Sequence, residues 1–213
     1  SQRSQVEARV RRVIEQLPEA ARQLLLMGSV FSRAVPEHFY LPLAPDGRGG
    51  RGVRAGEALE LLIARGLVQE REWSGSGWLL GQHNLVRDAA RQQLQQNPQA
   101  WETAHRQAAN LWLNHYQPAA HASNLETVRG YLEAFEHFCE VEDWDAAEQL
   151  FMEPLQIADQ VRLQWQLDDW GHFREEVSLC QKLTDRFSAE VNVVVWRSLG
   201  AGFQGLSLYS QAI

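Results

Sequence analysis

The spacing of aromatic and small residues near the C-terminus constrains the fold of this chain more than any other feature. Trp196 is followed by Leu199, Gly200 and Phe203 on one helical face, and Ala212 comes nine residues after Phe203. Large residues on one helix need a small residue on the next helix if the two are to approach closely. The pattern therefore predicts a hairpin of two antiparallel helices.

A looser copy of this spacing begins 65 residues earlier, where Tyr131, Phe138 and Ala147 keep the pattern and Phe135 replaces the small residue. Both copies resemble the 34-residue tetratricopeptide repeat, which reads W-x2-L-G-x2-Y and then a small residue. The resemblance implies TPR-like helical repeats over 123–213, with a surface for a protein or peptide partner or for self-association. Generic helix pairs that share the spacing are the alternative. The residues expected to pack the repeats are Tyr131, Phe138, Ala147, Trp196, Leu199, Gly200, Phe203 and Ala212.

Residues 1–97 carry a different pattern. Apolar periodicity and terminal prolines or capping residues predict helices at 5–17, 18–31, 36–40, 57–65 and 84–96. Strand composition on both sides of a Ser-Gly-Ser-Gly turn predicts a hairpin of 67–73 and 78–81. A glycine- and arginine-rich loop is expected at 44–56, and Asn84 is expected to cap the last helix. Helices followed by a β-hairpin and a further helix are the element order of a winged-helix domain, so the chain is predicted to be mainly α, with a connecting helix at 98–122.

The first 97 residues also resemble a known family through the segments 17–31, 57–67 and 82–88, together with the hairpin between them. They are similar to the winged-helix domain of NB-ARC-type STAND ATPases, a superfamily of signalling proteins that often carry tetratricopeptide arrays. The resemblance implies a regulatory fragment whose ATP or ADP is bound by a domain outside this chain.

His83 is the residue that this resemblance singles out. In the family, a Met-His-Asp triplet precedes the last winged-helix helix, and its His reaches the phosphates of the nucleotide on the neighbouring ATPase domain. His83 falls on that position, while Gln82 and Asn84 stand in place of Met and Asp. The resemblance implies a nucleotide-sensing role for His83, and an ordinary capping or core histidine is the alternative.

The charge of the chain divides near the same boundary. Residues 1–97 contain 13 Arg and 10 acidic residues, whereas residues 98–213 contain 7 basic and 17 acidic residues. The balance thus changes from +3 to −10, which indicates two modules. The acidic half favours a basic partner or serves solubility.

Several kinds of site are missing from the sequence. No GxxxxGK[ST] loop is present, and the glycines at 47–52 lack the Lys-Ser/Thr that hold phosphate and magnesium. Cys139 and Cys180 form neither a disulfide framework nor a zinc motif, and the seven His residues fall in no metal-binding pattern. The chain itself is therefore expected to be non-catalytic and without a cofactor or metal.

The cellular setting follows from the same inventory. The two cysteines suit a reducing compartment. No apolar run approaches the roughly 18 residues that a bilayer requires. We therefore expect a cytoplasmic protein that does not enter a membrane.

A winged-helix transcription regulator with a helical interaction tail is the alternative function. DNA binding needs cations that neutralise phosphates, and Glu57 and Glu60 on the helix predicted at 57–65 oppose such contact. Nucleic acid is for this reason the less favoured partner. The arginines that support this alternative are Arg48, Arg51, Arg54, Arg65 and Arg71.

Overall fold

The computed structural model describes residues 2–44, 55–73, 77–156 and 161–210. Most of the predicted 44–56 loop, residues 74–76 of the predicted 74–77 turn and Ala212 lie outside these ranges. The described residues are mainly helical and include a small three-stranded antiparallel sheet, which confirms the mainly α fold class. The chain divides into two compact units, Ser1–Leu111 and Trp112–Ile213.

In the first unit, helices come both before and after the strands along the chain. Its helices are α1 (Gln2–Glu15), α2 (Glu19–Gly28), α3 (Glu37–Tyr40), α4 (Ala55–Ala64), α5 (Asn84–Leu94) and α6 (Pro98–His115), whose last residues belong to the second unit. Its strands are β1 (Val35–Pro36), β2 (Val68–Trp73) and β3 (Gly77–Gln82), and Leu41–Leu43 form a 3-10 turn.

The sheet has the order β1-β3-β2, and both pairings are antiparallel. The predicted hairpin forms, and its register runs from Val68 opposite Gln82 to Trp73 opposite Gly77. β1 was not predicted, because two residues are too few to show the alternation that marks a strand. Val35 and Leu80 face each other across β1 and β3 and are both buried.

The core of the first unit depends on one close approach between α2 and α3. A Cβ on Gly28 would lie 2.5 Å from Cε1 of Tyr40, so only glycine lets the ring lie against this helix. Tyr40 is buried, and burial raises the pKa of its phenol above the usual range. The hydroxyl therefore stays protonated and serves packing rather than acid–base chemistry.

The second unit contains helices that range from 4 to 22 residues in length. They are α7 (Asn124–Thr127), α8 (Arg129–Glu140), α9 (Trp144–Met152), α10 (Leu163–Asp169), α11 (Phe173–Leu183) and α12 (Ala189–Ser210). Helix α8 packs on α9, and α10 and α12 pack on α11. Phe135, Phe151 and Leu167 lie at the centre of the core that these helices share.

Candidate interaction sites

His83 lies at the start of α5 and caps that helix. Its Nδ1 accepts a hydrogen bond from the backbone N–H of Leu85 at 3.3 Å. The prediction that Asn84 caps the helix was wrong, because Asn84 is already the first helical residue. An imidazole with Nδ1 as acceptor replaces the usual Asx cap here.

The cap fixes which ring nitrogen of His83 can face a ligand. Because Nδ1 accepts a hydrogen bond, the neutral ring carries its proton on Nε2, which then acts only as a donor. The side chain of His83 is exposed. An exposed N–H donor beside a helix N-terminus is suited to an anionic oxygen.

Two neighbours of His83 fasten this corner to the rest of the unit. Nε2 of Gln82 donates to the carbonyl of Leu25 at 2.8 Å, and Nη1 of Arg87 donates to the carbonyl of Ser32 at 2.8 Å. Both acceptors lie at or just beyond the C-terminal end of α2. Gln82 thereby ties β3 to α2.

The looser copy of the spacing, at 131–147, lies on α8 and α9, two contacting helices joined by a short turn that we call the α8–α9 hairpin. Ala147 is fully buried, and Tyr131 and Phe138 pack against the core of the second unit. The hydroxyl of Tyr131 accepts a hydrogen bond from the backbone N–H of Gln156 at 3.1 Å. Asp143 caps α9 by accepting from the N–H of Ala146 at 3.3 Å, which helps to set the turn between the two helices.

The C-terminal copy of the spacing, on α12, is only partly buried. Leu199 is buried, but Trp196 is 51% exposed and Phe203 is 47% exposed. A Cβ on Gly200 would meet nothing within 4 Å. With Val193, which is 67% exposed, these residues form an open apolar line along α12. We call Val193, Trp196, Gly200 and Phe203 the α12 stripe.

The other side of α12 packs tightly on α11. A Cβ on Gly202 would lie 2.8 Å from Cγ2 of Val177 and 3.1 Å from Oε2 of Glu176. A Cβ on Gly205 would lie 2.5 Å from the ring of Phe173. The two glycines therefore let α12 approach α11 closely, as small residues do at helix crossings.

Glu176 is the unexpected member of this contact. Its side chain is 1% exposed, and its Oε2 accepts no hydrogen bond from the described residues. Burial and, to a smaller extent, the nearby carboxylate of Asp168 together raise the pKa of Glu176 to about 8. Periodicity could have found this residue, because Glu176 shares a helical face with Phe173, Cys180 and Leu183.

A groove in the first unit has a volume of ≈ 880 Å³. Leu26, Met27 and Leu43 supply apolar lining, and Arg11 donates to Oε1 of Gln92 at 2.7 Å beside them. Side-chain amides both donate and accept hydrogen bonds, which suits an extended peptide backbone. Sequence reasoning missed the groove, although the glutamines of its wall are visible in the sequence. They are Gln23, Gln92, Gln93, Gln96, Gln99 and Gln107.

The residues that would decide DNA binding are mixed in sign. Glu57 and Glu60 are both exposed on α4, and Arg65 is exposed just after it. Arg71 is exposed on β2, whereas Arg48, Arg51 and Arg54 lie outside the described residues. Exposed carboxylates on this helix would oppose phosphate contact.

Reactive groups are scarce in the part of the chain that the structure describes. No group of three or more His, Cys, Asp or Glu residues could hold a metal ion among those residues. Burial raises the pKa of the thiols of Cys139 and Cys180 to about 12. A thiol of that pKa is almost wholly protonated near neutrality and is a poor nucleophile.

Within the same described ranges, no helix is both long enough and apolar enough to cross a bilayer. No protein-family model, curated protein or solved structure matches this chain. The functional argument therefore depends on the residues themselves.

Proposed function

We propose that this chain is a non-catalytic regulatory module of a STAND-type signalling protein. In this proposal a winged-helix unit couples the nucleotide state of an ATPase domain to a TPR-like helical array that binds a protein partner. The observation that carries the proposal is the α12 stripe, because soluble proteins rarely leave aligned large apolar residues in water unless a partner covers them.

Two features of the first unit support the coupling role. The order of α2, α3 and α4, then the β2–β3 hairpin, then α5 is the element order of a winged-helix domain. At the start of α5, the capped ring of His83 leaves its Nε2–H as an exposed donor. Such a donor can bind a phosphate oxygen presented by another domain, which is the role that the family assigns to this position.

The coding sequence upstream of Ser1 gives the first test. We expect a P-loop ATPase domain directly before this chain. A transcript without any nucleotide-binding or signalling domain at that place would overturn the coupling role.

The second test measures nucleotide release from the intact protein. His83→Ala removes the Nε2 donor and should speed ADP release by about 10- to 100-fold, since a hydrogen bond to a charged group contributes about 1.5–3 kcal/mol. His83→Asn is the matched control for stability, because asparagine retains helix capping but cannot place a donor at the same reach. Equal release rates for wild type and both variants would exclude His83 from nucleotide sensing.

A further inference from the structure

We propose that the groove of the first unit binds an extended peptide segment of a partner protein. The segment is about four residues long, with a basic group at one end and an apolar side chain at the other. All residues that line the groove lie between Arg11 and Gln107, within the first compact unit. The peptide is therefore a partner separate from anything that covers the α12 stripe.

The groove is a concavity that regular structure holds open. Its lining comes from the last turns of α1 and α5, from α2, from the 3-10 turn and the residue after it, and from the first half of α6. The backbone N–H of Ala100 donates to Oδ1 of Asn97 at 3.1 Å and so fixes the start of α6 at the groove. The volume of ≈ 880 Å³ is within the range of about 300–1,000 Å³ that is usual for ligand sites.

Two helices set the length of the groove. Its lining extends from Glu19 to Met27 on α2 and from Gln99 to Gln107 on α6. Each of these stretches spans about 12 Å, since an α-helix rises about 1.5 Å per residue. An extended chain covers about 3.3–3.6 Å per residue. A segment of about four residues therefore matches the length of the groove.

Side-chain amides dominate the polar lining. An amide side chain both donates and accepts hydrogen bonds, so it can pair with the N–H and the C=O of an extended backbone. The side chains of Gln96, Gln99 and Gln107 are exposed and have no hydrogen-bond partner among the described residues. Their donors and acceptors are thus available to a peptide. The amides of the lining are Gln23, Gln92, Gln93, Gln96, Asn97, Gln99 and Gln107.

The charges of the groove favour a basic group at the end where α2 begins. Nη2 of Arg22 and Nε2 of Gln23 donate to the two carboxylate oxygens of Glu19, at 2.5 and 2.6 Å. Glu15 is exposed, and its carboxylate has no partner among the described residues. It is the last residue of α1, where the negative end of the helix dipole also attracts a cation. A basic side chain or an α-amino group therefore complements Glu15.

The opposite end of the groove is apolar. Leu26 and Met27 are half-buried near the end of α2, and Leu43 is buried beneath the 3-10 turn. Covering Leu26 and Met27 with an apolar side chain removes more of their surface from water. Because this end lies about 12 Å from the start of α2, the apolar side chain should follow the basic group by three positions.

The chemistry of the lining argues against other classes of ligand. Among the described lining residues there is no aromatic side chain, so a nucleobase or a sugar ring has no surface on which to stack. Arg22 and Arg11 already donate to Glu19 and Gln92, so a phosphate group must compete with those contacts. A fatty acyl chain would leave the amides buried without partners.

Methyl NMR of the 213-residue chain tests the proposal directly. The sequence has two methionines, Met27 in the groove and Met152 in the second unit, which serves as the internal control. The probe is the capped tetrapeptide acetyl-Arg-Ala-Ala-Leu-amide, and acetyl-Glu-Ala-Ala-Leu-amide is the charge-reversed control. We expect the first peptide to shift the Met27 signal alone, with a dissociation constant of about 0.1–1 mM. The control should bind at least tenfold more weakly. An unmoved Met27 signal at about 5 mM peptide, or equal binding of both peptides, would overturn the proposal.

Removing the unpaired carboxylate tests the basic end. Glu15→Gln should weaken binding of the Arg peptide about tenfold and abolish the preference over the Glu peptide, because the attraction of opposite charges is lost. Glu60→Gln makes the same change at an exposed position on α4 outside the lining and should leave the affinity unchanged. An unchanged preference in Glu15→Gln would exclude this carboxylate as the partner of the basic group.

Two neighbouring glutamines test the amide wall. Gln96 lines the groove, whereas Gln95 is equally exposed but does not line it. Gln96→Ala should weaken the Arg peptide about 3- to 10-fold, and Gln95→Ala should have no effect. Both variants should unfold at the temperature of wild type. Equal affinities of the two variants would contradict recognition of the peptide by the amides.

The chain's own segment 45–54 is the rival occupant, because it directly follows Ala44 of the lining. This segment lies outside the described residues. Its exchange for a Gly-Ser linker of equal length should leave the Met27 signal of the free chain unchanged. A shift of that signal would assign the groove to segment 45–54 and overturn binding of a partner peptide.

Discussion

The α8–α9 hairpin and helix α12 carry the same aromatic spacing but differ in what covers it. In the hairpin, Tyr131 and Phe138 pack into the core and Ala147 on α9 is fully buried. On α12, Trp196 and Phe203 remain about half exposed. Ala212, the small residue expected to pack against α12, lies outside the described residues, so this part of the chain shows the apolar face without its expected cover.

The largest expected effect comes from the covered region. Phe135→Ala removes a ring that is 1% exposed in α8 and leaves a cavity in the core. It should lower the free energy of unfolding by about 3–5 kcal/mol. Phe203→Ala removes the same side chain from the stripe and should change it by less than about 0.5 kcal/mol. Urea denaturation checks both variants, and similar losses would mean that the stripe is already covered within the chain.

The second prediction concerns the buried carboxyl between α11 and α12. The pKa of Glu176 in the folded chain is about 8, against 4.5 for the free side chain. A raised folded pKa gives stability that is fully present below pH 4.5 and is lost as the pH rises to about 8. Glu176→Gln keeps the volume of the side chain but removes its charge. Its free energy of unfolding should therefore exceed that of wild type by about 2–4 kcal/mol above pH 8 and by almost nothing at pH 4.

Thermal unfolding across pH 4–9 measures this difference, with Glu175→Gln on the same helix as control. The control should keep the pH profile of wild type, because Glu175 is not among the buried side chains. A Glu176→Gln profile parallel to wild type would show that the carboxyl reaches solvent.

The third prediction compares the two sides of α12 directly. Gly202→Ala places a methyl group 2.8 Å from Cγ2 of Val177 and should destabilise the fold by about 1–3 kcal/mol. Gly200→Ala places the same group in open space and should stabilise it by about 0.5–1 kcal/mol through helix propensity. We expect the denaturation midpoint to fall below that of wild type in Gly202→Ala and to rise above it in Gly200→Ala. A higher midpoint in both variants would show that α12 does not pack closely on α11.

The smallest effect is at the turn that closes the covered hairpin. Asp143→Ala removes the acceptor for the N–H of Ala146 and should cost about 1 kcal/mol. Asp143→Asn keeps an accepting oxygen and should recover most of that loss. Chemical denaturation of the pair measures the cap, and equal losses would show that charge, rather than hydrogen bonding, stabilises the turn.

The elements that were predictable are those with several turns of apolar periodicity. Residues 84–96 were expected as a helix and Asn84–Leu94 form α5, and the two strands predicted on either side of the Ser-Gly-Ser-Gly segment form β2 and β3. Such segments reveal themselves because each turn repeats the same preference for one face. β1 has only two residues, too few to show an alternating pattern, and was not predicted.

The site residues were harder to predict because their roles depend on distant neighbours. Asn84 fits an N-cap by propensity, but the backbone of β3 continues through Gln82 and leaves His83 at the capping position. Glu176 lies on the apolar face of α11, but the close approach of Gly202 on another helix is visible only in the structure. The repeat, winged-helix and nucleotide-sensing assignments remain predictions for the experiments above.

The protonated state of the two native cysteines has a practical consequence for probe chemistry. With pKa values of about 12, Cys139 and Cys180 carry about a thousandfold less thiolate near neutrality than an ordinary exposed cysteine. A maleimide dye should therefore react much faster with an introduced surface cysteine than with either native one. A fluorophore could thus be attached beside the α12 stripe without first replacing Cys139 and Cys180.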